Sequence, residues 1–291
     1  MRAAWVLLAL AAGGGIGDAL DGRTTAVRFV AAIGLWFGWG AGVVALFVPR
    51  STSLTAARIL VPAGLAAMLA GTLAGGTPNG ADAIAVLLAT VATVAVLMPW
   101  VGETWVEGSA YGNERRLPLR PPVIVATVLA PLTWLVVVAG ASVGPLVLAS
   151  GAWAPGVIIT ALGWGAAFIG VRSLHQLSRR WLVLVPAGVV LHDPMTMPEP
   201  QLFLRRMITR LGPAVDGATG AAGATSANSA EDLTAGAAGL TLSLELSEPV
   251  DLLVRRGRRD SVTKVATAVL FTPTRPGRVL DGAAAGRVAV G

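Results

Sequence analysis

The sequence predicts an α-helical integral-membrane bundle of six spans followed by a small β-rich soluble domain of α+β class. Three observations carry that prediction. Up to residue 171 the chain is a series of long apolar runs with no charge in their interiors, the pattern a hydrocarbon core demands. Only 13% of the residues are charged against 54% hydrophobic, where ordinary soluble domains carry about 25% charged. Across residues 172–194 the pattern changes, and apolar residues then come in short alternating runs separated by arginine, glycine and proline. The expected domains are residues 1–171, in the membrane, and 172–291, outside it.

Six apolar segments can be delimited: residues 3–20, 26–48, 54–75, 81–101, 123–149 and 153–171. A bilayer core about 30 Å thick needs roughly 20 helical residues, and five of the six segments meet that comfortably. The first is weakest, because Gly13-Gly14-Gly15 lowers its helicity and Asp18 lies near its end. Its Arg2 start and alanine-rich end are also those of a signal peptide. Removing it would leave an odd number of spans in conflict with the loop charges, so an uncleaved helix is expected.

Those charges define a topology. Arg2, the Arg50/Arg58 loop, the Arg115-Arg116/Arg120 loop and everything from Arg172 onward fall on one side. The loop around Asn79 and the turn at Ser150-Gly151 hold no cation and fall on the other. Arg23 and Arg28 dissent. Since cationic flanks stay inside, both termini and the soluble domain are expected in the cytoplasm, with the spans in a bacterial cell (inner) membrane.

Nine tryptophans divide in two. Trp5, Trp100, Trp105, Trp153 and Trp181 fall near span ends, where indole N–H groups meet the wet headgroups. Trp36, Trp39, Trp134 and Trp164 lie deeper and are expected between helices. Gly34, Gly38 and Gly42 recur every fourth residue and line one face of the second span, as Ala67, Gly71 and Gly75 do in the third and Gly140 and Gly144 in the fifth. Such faces allow close helix packing, within the bundle or between two copies of the chain. Pro62, Pro131 and Pro145 each remove a backbone donor, giving static kinks or, in the more interesting case, a transport site.

In the soluble domain, Trp181–Val185 and residues 189–192 predict two strands joined by the turn Pro186-Ala187-Gly188. Residues 202–211 fit a helical face or a strand. Residues 216–239 are almost entirely Ala, Gly, Thr and Ser, with Leu233 their one large apolar side chain, and predict a disordered insertion. Strict alternation over 240–246 predicts a strand, residues 250–254 and 265–272 two more, and the region after Pro276 a short closing helix.

These segments carry a resemblance. Arg180-Trp181-Leu182-Val183-Leu184-Val185-Pro186-Ala187-Gly188-Val189-Val190-Leu191, the Ile208-Thr209-Arg210-Leu211-Gly212 stretch and the strand pair over 240–254 resemble bacterial pleckstrin-homology-like (PH-like) domains. The layout of the whole chain resembles actinobacterial polytopic membrane proteins that carry such a domain at the C-terminus. The resemblance covers about the last 110 residues. It implies a β-rich fold closed by a helix and brings no catalytic residues with it.

Chemistry is sparse. With no cysteine, disulfides, thiolate metal sites and cysteine nucleophiles are excluded. Glu103 and Glu107, one turn apart, and Glu114 are the clustered acids, without the partners a metal or acid/base site needs. His175 and His192 have no ligand spacing, so no metal and no cofactor is expected. The net charge is +6, of which residues 172–291 carry +4. Its densest part is Arg255-Arg256-Gly257-Arg258-Arg259, where four guanidiniums around a glycine could bind phosphates or form a solvated turn. No aromatic platform accompanies it, which argues against nucleic acid. The reading is a non-enzymatic inner-membrane protein whose cytoplasmic domain contacts anionic lipid headgroups, through Arg255, Arg256, Arg258 and Arg259, or a protein partner. Its rival is a transporter or channel for an uncharged or lipid-like solute.

Overall fold

The computed structural model describes residues 1–75, 78–214, 230–257 and 260–291. It divides into two units, each discontinuous in sequence: a helical unit of Met1–Trp105 with Ala130–His175, and a β unit of Val106–Leu129 with Gln176–Gly291. The boundary expected at residue 171 therefore moves. The loop between the fourth and fifth spans belongs to the β unit, because a strand inside it pairs with the strand that follows the last span.

The helical unit begins with α1 (Arg2–Ala11) and α2 (Gly13–Leu20), bent by 47° at their junction. The glycines at 13 to 15 open α2, where conformational freedom lowers the cost of a break. Then follow α3 (Thr25–Phe47), α4 (Ser51–Ala74), α5 (Gly80–Leu97) and the short α6 (Pro99–Glu107). A π-helical turn at Val125–Leu129 leads into α7 (Ala130–Ala149), and α8 (Trp153–Leu177) follows. Among the described residues, five helical segments are long and apolar enough to cross a membrane, and a sixth is added if the bent pair counts as one span. The π turn has a local cause. Pro131 has no N–H for the carbonyl four residues back and its ring crowds that carbonyl, so the turn before it widens. Pro62 and Pro145 stay inside α4 and α7.

Small residues and indoles hold these helices together. Trp5 is buried, donates from Nε1 to the Trp39 carbonyl at 3.1 Å and accepts the Trp39 Nε1–H at 3.0 Å on its own carbonyl. Its ring lies against Gly42 and Gly64, where an added Cβ would come within 2.7 and 2.6 Å of it. Trp105 donates to the Ala45 carbonyl and Trp134 to that of Ile59, each at 3.0 Å. The sequence-based division of tryptophans thus changes. Trp5 and Trp105 are packed inside, where bonded N–H groups offset burial, whereas Trp36 and Trp164 face outward.

The glycine faces also separate. Gly42 packs as expected, but Cβ atoms at Gly34 and Gly38 would meet no described atom within 4 Å. Within the helical unit the closest backbone approaches are Gly140 against the Gly163 carbonyl and Gly144 against the Thr160 backbone, where a Cβ would lie 2.5 Å from the facing atoms. Gly71 and Gly75 receive Ile16 and the Gly15 carbonyl. Ala57, Ala85, Ala89 and Ala92 are buried along α4 and α5.

Among its described residues the β unit contains two four-stranded sheets. The first is antiparallel, ordered β1 (Arg115–Pro118), β2 (Trp181–Val185), β3 (Gly188–His192) and β4 (Gln201–Leu204). Gly188 must be glycine: its φ is +154° and a Cβ would overlap the Phe203 carbonyl. A 3-10 turn at Arg205–Met207 leads to β5 (Ile208–Pro213), so the ambiguous stretch 202–211 is two strands around one tight turn. The second sheet runs β5, β7 (Leu242–Arg255), β8 (Ser261–Phe271), β6 (Ala230–Asp232), with β6 parallel to β8. The two strands expected at 240–246 and 250–254 are one, shifted in register between Glu245 and Val250.

Part of the expected disordered insertion is ordered. Residues 230–232 form β6, and Leu233 is buried in the core. One leucine suffices because its N–H also bonds to the Leu270 carbonyl at 2.9 Å, adding to the sheet. Residues 215–229 lie outside the described residues. α9 (Pro276–Ala285) closes the unit as expected and sends Val279 and Ala283 into a core built from both sheets, with Leu117, Leu182, Leu191, Phe203, Leu211 and Leu244 among its members.

Candidate functional site

The site grows from a buried ion pair. Arg180 lies three residues beyond the end of α8 and immediately before β2. Its Nε donates to Asp193 Oδ1 at 2.8 Å and its Nη2 to Oδ2 at 2.6 Å, with the side chains 1% and 0% exposed. The remaining Nη1 donates to the Arg120 carbonyl at 2.7 Å, just beyond the end of β1. A planar guanidinium suits this two-pronged contact. Asp193 then shapes the chain after β3: its Oδ1 accepts the Met195 N–H at 3.0 Å, and its carbonyl accepts those of Thr196 and Met197. Met197 plugs the core.

This turn holds the basic hairpin. The Thr196 carbonyl accepts the Arg255 N–H at 2.7 Å, at the end of β7. The Arg256 and Gly257 N–H groups donate to the Asp260 carbonyl at 3.0 and 3.4 Å and close the connection to β8. Hence the chain's exit from α8 and the Arg255 hairpin are joined by three links: Arg180 to Asp193, Asp193 to Thr196, Thr196 to Arg255. Arg255 is half-buried and Arg256 exposed, while Arg258 and Arg259 lie outside the described residues. Beside them, Leu253 is 41% exposed on β7 and Val265 58% exposed on β8. The register Asp251↔Val265 and Leu253↔Thr263 sets these two diagonally on one face.

Three further ion pairs lie in the β unit. Arg116 pairs with Glu114, Arg210 with Glu245 and Lys264 with Glu231. Arg205, Arg206, Arg256 and Arg287 are among the described arginines that face outward without a carboxylate partner. Arg205 and Arg206, with Pro186, Ala187 and Leu204, line an open groove of about 430 Å³.

The three acids Glu103, Glu107 and Glu114 do not converge on a common point. Glu114 binds the Arg116 guanidinium and the Tyr111 N–H, and Glu107 accepts the Arg116 N–H at 2.7 Å. Both shape the turn into β1, while Glu103 is buried in the helical unit. The histidines are equally separate. His175 Nδ1 lies 2.9 Å from the Thr55 hydroxyl. His192 stacks on Trp181 at 5.0 Å, with the Arg116 guanidinium 5.4 Å from the same indole. Burial, reinforced by Arg179 and Arg116 and opposed by Asp193, holds the His192 pKa below its usual value. Among the described residues no group of three His, Asp or Glu side chains could hold a metal ion.

Besides the Arg180–Asp193 pair, sequence reasoning missed a buried polar contact in the helical unit. Asp82 is buried near the start of α5, where its Oδ1 accepts the Gly15 N–H at 2.6 Å and its Oδ2 the Asn79 N–H at 3.0 Å. Asn79 in turn caps α5. The signal was present in the Asn-x-x-Asp spacing of a capping box and in the glycines that let α2 come close. No family model, curated protein or solved structure matches the chain.

Proposed function

We propose that this protein is a non-enzymatic, multi-pass protein of a bacterial inner membrane, in which the helical unit is an anchor and the β unit is a cytoplasmic module that contacts anionic lipid headgroups. The observation that carries this reading is the three-link connection from the end of α8 to the Arg255 hairpin. It sets a basic turn close along bonded contacts to the point where the chain leaves its last apolar helix, and each basic residue near an anionic surface contributes about 1 kcal/mol. The loop arginines support the cytoplasmic side. Two sheets sharing one core under a C-terminal helix support the PH-like assignment. An interior packed by glycine, alanine and bonded indoles supports a static anchor over a solute pathway.

The test uses the full chain in nanodiscs, since β1 comes from between two spans and residues 172–291 alone lack it. Amide hydrogen exchange of residues 250–262 should slow in bilayers rich in phosphatidylglycerol relative to phosphatidylcholine. The difference should shrink as salt rises and vanish when Arg255, Arg256, Arg258 and Arg259 are all changed to Gln. Equal exchange in the two bilayers would remove the headgroup role.

A further inference from the structure

The first sheet of the β unit ends on an open edge. β4 is its last strand, and among the described residues the side of β4 away from β3 pairs with nothing. The Arg205 N–H donates to the Ala187 carbonyl across the Gly188↔Leu204 pair. That bond fixes the alternation: Gln201 and Phe203 bond to β3, whereas the N–H and C=O groups of Leu202 and Leu204 point outward. One of these four groups is engaged, the Leu202 carbonyl, which accepts from Gln201 Nε2 at 3.3 Å. Unpaired edges are templates for another strand, and natural sheets keep them short or charged. Pro200 and the 3-10 turn at Arg205–Met207 limit this edge to four residues, yet leave Leu202 43% exposed on it. Its two ends carry opposite charge. Glu199 is exposed just before the strand, and Arg205 and Arg206 are exposed just after it. Among the described residues none of the three forms an ion pair, and Arg205 reaches only the Gly286 carbonyl, at 3.5 Å.

We propose that β4 is the seam of a homodimer: two copies of the chain pair their β4 edges antiparallel about a two-fold axis, with Leu202 opposite Leu202. Two four-stranded sheets then join into one. In this register Glu199 of each copy lies opposite Arg205 of the other, so the contact is self-complementary and closed, as a two-fold interface must be. The outward groups of the two Leu202 residues bond to each other, and the Leu204 N–H meets the Pro200 carbonyl of the second copy. Pro200 has no N–H to leave unpaired. Pro186, Ala187, Leu204, Arg205 and Arg206 line the open groove of about 430 Å³ at that end of the strand, and Glu199 of the second copy fills it. Charge favours a second copy over a different protein. An acid at one end of an edge and bases at the other match their own sequence when it runs antiparallel, and a like-charged partner is excluded. Four residues make a small seam for molecules free in solution. Two copies held in one bilayer meet at a far higher effective concentration, which offsets the small area. The seam lies on a different sheet from the Arg255 hairpin and does not depend on the lipid reading.

The absence of cysteine from the sequence makes the test direct. The full chain carries Leu202→Cys or, as a control on the second sheet, Val265→Cys, at positions 43% and 58% exposed. Each is oxidised in isolated membranes and disulfide-linked dimer is followed with time. Opposed residues of such a pair have Cα atoms about 5.5 Å apart, within disulfide reach. Leu202→Cys should crosslink about tenfold faster or more than Val265→Cys, which meets its copy only by collision. Adding Glu199→Arg or Arg205→Glu alone should slow the Leu202→Cys crosslink about threefold or more, and adding both together should restore it, because the reversed ends match again. Unchanged hydrogen exchange of β2 and β3 verifies the fold of every variant. Restoration by the double reversal separates pairing from damage to the fold. Two copies inserted alike pair this way only with the two-fold axis along the membrane normal, so a crosslink that forms in detergent and not in membranes overturns the proposal. Equal rates at 202 and 265, single reversals without effect, or a double reversal that stays slow each overturn it as well. Equal rates are also what a different protein on this edge would give.

Discussion

Replacing Asp193 with Ala should be the most damaging single change to the β unit. Arg180 and Asp193 are almost fully buried and joined by two hydrogen bonds of 2.8 and 2.6 Å. Breaking a buried pair from one side leaves an uncompensated charge, at a cost of about 3–5 kcal/mol. The Met195 N–H also loses its acceptor. At about 1.36 kcal/mol per decade, the unit should open roughly 150 to 5,000 times more often. Amide hydrogen exchange of Trp181–Val185 and Gly188–His192 in the full chain reads this directly, since their protection reflects opening of the core. Pairing Asp193→Leu with Arg180→Met should regain part of the loss, because the stranded charge is gone and only the Arg120 carbonyl and Met195 N–H stay unsatisfied. A change of less than tenfold in Asp193→Ala would refute the argument and place this pair with ordinary surface contacts.

Two further outcomes follow from the same contacts. His192 is held neutral in the fold by burial and by Arg179, and gains a proton on unfolding below about pH 6.5. The unfolded chain then binds more protons, so stability is intact above that pH and falls as pH drops through it. His192→Phe keeps an aromatic ring on Trp181, and the variant's melting temperature should fall less than the parent's between pH 7.5 and pH 5. In the helical unit, Asp82→Ala orphans the Gly15 and Asn79 N–H groups. At about 1–3 kcal/mol for a buried unsatisfied donor, thermal unfolding in detergent should move to lower temperature. An unchanged midpoint would show that water or lipid satisfies those donors.

The architecture was legible where one physical requirement dominates. Uncharged runs long enough to cross a bilayer located five helices and the weaker first segment, short runs around a turn signal located β2 and β3, and alternation located the start of β7. What escaped was long-range pairing. Nothing in Arg115-Arg116-Leu117-Pro118 indicates that it will meet residues 181–184, because four residues between two spans are indistinguishable from a polar loop until the partner edge is known. Leu233 escaped for the same reason. Its neighbours are poor in apolar side chains, and its order comes from pairing with β8. The tryptophans show the converse: position along a span does not reveal which side of the helix finds a carbonyl for the indole N–H. In the basic hairpin, composition gave the charge, whereas the tie through Asp193 and Thr196 needed coordinates.

The placement of β1 between two spans also fixes an order of events during synthesis. The strand is made more than sixty residues before its partner β2, and most of what is translated in between is the apolar helix of α7 and α8. Until those helices have been made, β1 has no partner edge, and Leu117 and Leu119 stay uncovered. Pairing across such a distance in sequence is slow to begin, since the loop must close before any contact rewards it. A soluble module appended after a membrane domain could fold whatever happened upstream. This one cannot: its first sheet is completed only after α7 and α8 have been translated and β1 has closed onto β2 across them.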